Sequence, residues 1–222
     1  MSYTTVVAVL AIPFLSAIIV GSILLRRAFC LPKHRPEEFA LAFAWVFAVG
    51  SLLWLGVFLN GSTLLGFGAP WTWITSAHFA FAGFGALTIT ALSCRVVSDI
   101  QMRRILRILL IAHPATYLVT AAGISGFPYC NELGATGYLL IFTTQLGAVI
   151  FGKPDRMARS PRFLLIFALV VPVITLIPAM AWAWGRPIFD LAGMVRYHGI
   201  VNAVGHVGLG LLAFGWGRPT VQ

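Results

Sequence analysis

The sequence predicts an all-α fold: a polytopic membrane bundle of seven transmembrane helices, with the N-terminus outside and the C-terminus cytoplasmic. Three observations carry this. The 222 residues are 59% hydrophobic and only 9% charged, with a mean hydropathy of +0.93. A soluble domain carries roughly 25% charged residues, so this chain cannot cover a water-exposed surface. Apolar runs of about 20 residues, the length that crosses a bilayer, recur along the chain. The basic residues fall between those runs in alternate loops, as cytoplasmic loops do.

The runs cover residues 5–25, 38–58, 71–94, 105–124, 133–151, 163–184 and 191–216. They leave no linker long enough for a soluble domain, so residues 1–222 read as a single transmembrane domain. The first run has no basic segment before it and Arg26-Arg27 after it, which predicts a retained helix rather than a cleaved signal. Arg26, Arg27, Lys33 and Arg35 follow the first run; Arg95, Arg103 and Arg104 follow the third, with Arg107 just inside the fourth. Lys153, Arg156, Arg159 and Arg162 follow the fifth. The loops after the second and fourth runs hold no Lys or Arg. The positive-inside rule then places the basic loops and Arg218 in the cytoplasm.

This pattern also disposes of the net charge of +9. It is topological and does not imply nucleic acid. Cys30 and Cys94 are expected on the cytoplasmic side and Cys130 on the other, so neither a disulfide framework nor a metal spacing follows. Trp71, Trp73, Trp182 and Trp184 mark the outer ends of their runs, where aromatic rings favour the interface. Trp71 and Trp182 are also candidates to line the mouth of a pocket for an apolar substrate. Pro172 and Pro178 predict kinks in the sixth run.

Polar groups inside the runs are the functional candidates, because they are expensive there. The last run holds Arg196, Tyr197, His198, Asn202 and His206 within about three turns. His198, Asn202 and His206 are spaced i, i+4, i+8 and so lie along one helical face. Of the six carboxylates, Glu37, Glu38, Asp99 and Asp155 read as solvated loop charges. Glu132 and Asp190 stand at the outer ends of the fifth and seventh runs. Each can serve its helix N-terminus, Asn131 capping beside Glu132 and Asp190 capping alone, or act as a general acid at the mouth of a cavity. Arg196 needs a counter-ion or must reach outward, and Glu132 is the better placed partner.

By rise per residue, His78 and His198 share a level roughly 10 Å below the outer ends, and His113 and His206 lie near mid-bilayer. Asn202 can orient His198 or hold a substrate oxygen. Tyr117 and Thr120, with Thr143, Thr144 and Gln145, add hydrogen-bonding groups in the fourth and fifth runs. Gly199, Ala203, Gly205, Gly208 and Gly210 permit close approach of neighbouring helices.

The segment His198-Gly199-Ile200-Val201-Asn202-Ala203-Val204-Gly205 resembles the H-G-x-x-N-A-x-G signature of YndJ-like bacterial membrane proteins. The resemblance implies a small polytopic protein with His198 and Asn202 as its marked residues, and it lends little chemistry. His206 lies outside the signature.

Three functions compete. The first is a membrane enzyme with no cofactor and no metal, acting by acid–base chemistry on an apolar isoprenoid or polyketide as a cyclase, isomerase or epoxide-opening hydrolase. Its catalytic candidates are Glu132, Asp190, Arg196, His198 and Asn202; its substrate-binding candidates are His78, Tyr117, Tyr197, Trp71 and Trp182. The second is a redox protein binding haem or copper between His78 and His198 or between His113 and His206. The third is a small transporter or receptor; a retinal-type one is excluded because the last run lacks a lysine. The expected partners are the bilayer, that of a bacterial inner membrane, and an apolar small molecule, with no obligate protein partner.

Overall fold

The structure is a computed structural model and describes residues 2–219. Seven helices are long and apolar enough to cross a membrane: α1 (Tyr3–Cys30), α2 (Pro36–Leu59), α3 (Trp71–Val96), α4 (Ile100–Ile124), α5 (Cys130–Phe151), α6 (Arg159–Ala183) and α7 (Leu191–Gly217). Among the described residues the only pairing of β type is an isolated bridge, Leu64 to Phe67, in the loop before α3. The seven expected runs are these seven helices, with ends that differ from expectation by five residues at most. The physical reason for an all-helical answer is that hydrocarbon offers no partner for backbone groups, so each span must satisfy its own.

The ends are set locally. Ser2 caps α1 by accepting from the Thr5 amide. Pro36 opens α2, where a missing N–H costs nothing. Asp99 caps α4 by accepting from the Gln101 and Met102 amides, both at 2.9 Å, so this carboxylate is a cap rather than a free loop charge. Glu37 departs from expectation more sharply. It is buried in the first turn of α2, where a carboxylate complements the helix dipole.

Two helices depart from regular α geometry. Residues Phe79–Gly85 of α3 and residues Met194–Ile200 and Asn202–Gly208 of α7 are π-helical. Such wide turns mark functional sites often enough to direct attention there. Those of α7 contain the whole of the polar stretch singled out by sequence.

Contacts group the chain into two units, Met1–Thr88 and Ile89–Gln222, with the boundary inside α3. In the first unit α2 and α3 are clamped by reciprocal hydrogen bonds. Ser51 Oγ donates to the Ser76 carbonyl at 2.9 Å, and Ser76 Oγ to the Ser51 carbonyl at 2.8 Å. Helices in lipid gain nothing from hydrophobic exclusion, so such bonds and close packing hold them together. Glycine supplies the packing. A methyl group on Gly50 would strike the Phe79 ring, and one on Gly83 would strike Phe47.

In the second unit two basic loops meet: Ser98 and Asp99 donate backbone N–H groups to the Lys153 and Gly152 carbonyls at 3.1 and 3.0 Å. Helices α4 and α5 touch at Gly134 and Gly137, which abut Thr120 and Thr116. The C-terminal part of α3 joins α5 through Gln145, which accepts from Thr90 Oγ1 at 3.2 Å and donates to Ser93 Oγ at 3.3 Å. That bonding makes the fully buried Gln145 a structural link.

Candidate functional site

The site forms where α7 lies against α6. Proline decides which groups of α6 are available. Pro172 has no N–H, so the carbonyl four residues earlier, that of Ala168, loses its helical partner. Pro178 does the same to the Ile174 carbonyl, one residue before Thr175. The Ala168 and Thr175 carbonyls are the two that face α7. Both carbonyls are taken by histidines of α7. His206 Nδ1 donates to Ala168 O at 3.0 Å, and His198 Nδ1 donates to Thr175 O at 2.8 Å. Gly205, between them, rests on Val171: a methyl group there would stand 3.0 Å from Val171 Cγ1. The expected shared face is therefore present, and α6 is what it faces.

These bonds fix tautomers. A carbonyl only accepts, so the proton of each neutral imidazole is on Nδ1 and the lone pair is on Nε2. Asn202 supports the upper histidine: its Nδ2 donates to the His198 carbonyl at 2.8 Å. Its Oδ1 is buried and, among the described residues, has no hydrogen-bond partner. His198 is half-buried, whereas His206 is 2% exposed. Next to His198, a methyl group on Gly199 would meet only the Met194 carbonyl of its own helix, at 3.9 Å, so that side of the turn is open.

A second cluster lies deeper. His113 of α4 packs edge-on against Tyr138 and Phe142 of α5, with ring centroids 5.3 and 5.8 Å apart. Phe142 also meets His206 edge-on at 5.1 Å. His113 and His206 thus share one cluster, as their common depth suggested, with the Phe142 ring against both. Tyr117, one turn along α4 from His113, is buried as well. Sequence reading missed Tyr138 and Phe142. Their spacing from Gln145, i, i+4, i+7, was the available signal, because it gives α5 one continuous buried stripe.

The remaining candidates are placed differently. Asp190 is the N-cap of α7 and accepts from the Gly193 amide at 2.7 Å, which fully accounts for an exposed carboxylate at that point. Asn131 does not cap α5. The cap position is Tyr129, in a left-handed conformation, and Asn131 lies inside the helix, against Gly123. Glu132 is half-buried in the first turn. The favoured Glu132–Arg196 ion pair is not formed: among the described residues no ion pair includes either one. Arg196 is exposed, since its position on α7 turns away from the face that carries the histidines. A long cationic side chain so placed can extend toward the interface instead of requiring a buried counter-ion. Tyr197 is exposed and packs against Phe189, the ring centroids 4.9 Å apart and the planes tilted by 35°, at the entrance of α7. Trp182 is exposed at the end of α6. Trp71 and His78 belong to the first unit; both are exposed, and His78 Nδ1 is occupied by the Ile74 carbonyl of its own helix at 2.9 Å.

Among the described residues, no three His, Cys, Asp or Glu side chains converge as a metal site. Neither a curated protein nor a solved structure matches the chain. A family model described as YndJ-like protein matches residues 2–206, a span that includes His198, Asn202 and His206. The chain is a multi-pass membrane protein and belongs to the YndJ-like family.

Proposed function

We propose that this protein is a cofactor-independent membrane enzyme that uses His198 as a base on an apolar small molecule. The observation that carries the reading is the His198 Nδ1–H bond to the Thr175 carbonyl at 2.8 Å. It does for this imidazole what the buried aspartate does for the histidine of a serine protease triad: it holds the ring and leaves Nε2 as the lone-pair nitrogen. Asn202 is the positioning residue beneath it, and the open side at Gly199 gives a substrate access. Glu132, which has no ion-pair partner among the described residues, is the candidate acid.

Opening of an epoxide illustrates the balance. His198 Nε2 takes a proton from water as the water oxygen bonds to a ring carbon. The C–O bond breaks, and a carboxyl proton goes to the departing oxygen, giving a diol. Cyclisation or isomerisation of an isoprenoid or polyketide uses the same two transfers. The proposal includes an external N-terminus and a bacterial inner membrane, on the strength of the alternating basic loops. Arg186, between α6 and α7, is the exception to that alternation.

The test is turnover of apolar epoxides and polyenes by the chain in lipid nanodiscs, followed by mass spectrometry. His198→Gln is expected to lower turnover about 10²-fold or more, the usual contribution of a general base, with an unchanged melting profile. Full activity in His198→Gln overturns the assignment. The redox reading has one observation in its favour, the bare Nε2 of His206. Against it, Phe142 packs against both imidazoles where a shared macrocycle would have to enter. A Soret band that shifts with dithionite would restore it.

A further inference from the structure

The second unit gathers positive charge more tightly than orientation in a membrane requires. Residues 95–107 hold four arginines, and residues 153–162 hold one lysine and three arginines, against two carboxylates, Asp99 and Asp155. Asp99 is already committed to capping α4. The positive-inside rule asks only that such charges lie on one side, whereas here the loops that carry them are fastened together. The Lys153 carbonyl accepts from the Ser98 amide at 3.1 Å and from Ser98 Oγ at 3.0 Å. Gly152 fits so closely that a methyl group there would strike Val97 and Met102. The end of α7 joins the same place: Gly217 rests on Met157 and Pro161, which brings Arg218 to the second loop.

The gathered cations are held in place. Arg103 Nη2 donates to the Ser98 carbonyl at 2.9 Å, and Arg162 Nη2 donates to the Met157 carbonyl at 2.7 Å. Arg104, Lys153, Arg159 and Arg218 are exposed, and among the described residues no ion pair includes any of them. Like charges held together repel, so an anion supplied from outside the chain stabilises the arrangement. The surroundings identify its source. Phe163, one turn from Arg159, and Trp216, two residues from Arg218, are exposed on the membrane-spanning helices. The Arg159 guanidinium lies 5.8 Å from the Phe163 ring centroid. The cations therefore stand at the edge of an apolar surface. There a lipid keeps its chains in hydrocarbon while its phosphate meets arginine.

We propose that the joined loops of the second unit, with the end of α7, bind the phosphate of an anionic lipid headgroup in the leaflet that borders them. This surface is separate from His198 and does not rest on its catalytic role.

The test is lipid retention by the full chain, released from nanodiscs of equal parts phosphatidylglycerol and phosphatidylcholine and weighed by native mass spectrometry. The protein is expected to retain phosphatidylglycerol about tenfold or more over phosphatidylcholine. The triple change Arg104→Gln, Lys153→Gln and Arg159→Gln is expected to abolish that preference. Arg159→Gln alone is expected to lower it about fivefold, the contribution of one cation near an anionic surface. The control removes the same charge from the first unit through Arg26→Gln, Arg27→Gln and Lys33→Gln, and is expected to keep the preference. No preference in the unchanged protein overturns the proposal. An equal loss in the control also does, because it marks attraction to positive charge in general. Displacement of the lipid by millimolar inorganic phosphate marks a soluble anion as the occupant and overturns it as well.

Discussion

At the residue scale, the decisive chemistry is a pairing between proline and histidine on neighbouring helices. Pro172 leaves the Ala168 carbonyl without its helical donor, and His206 supplies one from α7. The two residues should therefore be energetically coupled. His206→Leu is expected to destabilise the protein by about 1–3 kcal/mol, because it leaves that carbonyl buried and unmet. Pro172→Ala restores an N–H within α6. Added to His206→Leu, it is expected to recover about 1 kcal/mol, giving a positive coupling in a double-mutant cycle. Thermal unfolding of the four proteins in one detergent checks this; strict additivity would mean that the histidine does not serve the proline-freed carbonyl. The same logic bears on His198. Its partner carbonyl is part of the backbone, so the Nδ1 bond survives any single side-chain change at Thr175. Thr175→Val should accordingly leave His198-dependent turnover within about twofold, since the substitution removes only a hydroxyl bonded to its own helix at Val171. A loss comparable to His198→Gln would show that Thr175 contributes through its side chain.

At the element scale, small residues set how closely the helices approach. Lipid replaces water around these spans, so contact area contributes mainly through dispersion and close fit. Gly134 of α5 is buried against Thr120 of α4, and a methyl group there would overlap the threonine side chain and crowd its Cα. Gly147, on the same helix, has nothing within 4 Å of the corresponding point. Gly134→Ala is expected to cost about 1–3 kcal/mol by forcing the helices apart. Gly147→Ala is expected to be neutral or slightly stabilising, since alanine is the better helix former. Comparing their unfolding midpoints in detergent tests the contact; equal midpoints would contradict the close α4–α5 approach. The π-helical turns of α7 belong to this scale too. They lie where glycines are dense and where two histidines meet the carbonyls of the proline-containing α6.

At the scale of the whole molecule, seven apolar helices and alternating basic loops describe a multi-pass protein whose orientation is directly testable. Cys30 is exposed at the C-terminal end of α1, and Ser125 is exposed in the loop between α4 and α5. With Cys94 and Cys130 replaced by alanine and Ser125 by cysteine, an impermeant maleimide added to intact cells is expected to label position 125 alone. Cys30 should react only after permeabilisation. The reverse pattern would invert the proposed topology and with it the side from which a substrate reaches His198.

The sequence by itself determined the class, the number of spans and their limits to within a few residues, because the bilayer enforces length and apolarity on each segment independently. It also located the polar stretch of α7, since polar side chains in hydrocarbon stand out against any apolar background. What it could not decide was partnership. The ion pair between Glu132 and Arg196 rested on shared depth, but depth fixes only one coordinate, and the rotation of each helix decides which side chains meet. Glu37 was misread for a related reason: its place near a loop said nothing of how deeply that end of α2 is buried. Proline and histidine each stood out in the sequence, yet their connection existed only across two helices. The tertiary structure alone brought His206 to the carbonyl that Pro172 leaves without a donor and set the Phe142 ring against both His206 and His113, because such contacts depend on the packing angle and register of helices far apart in the chain.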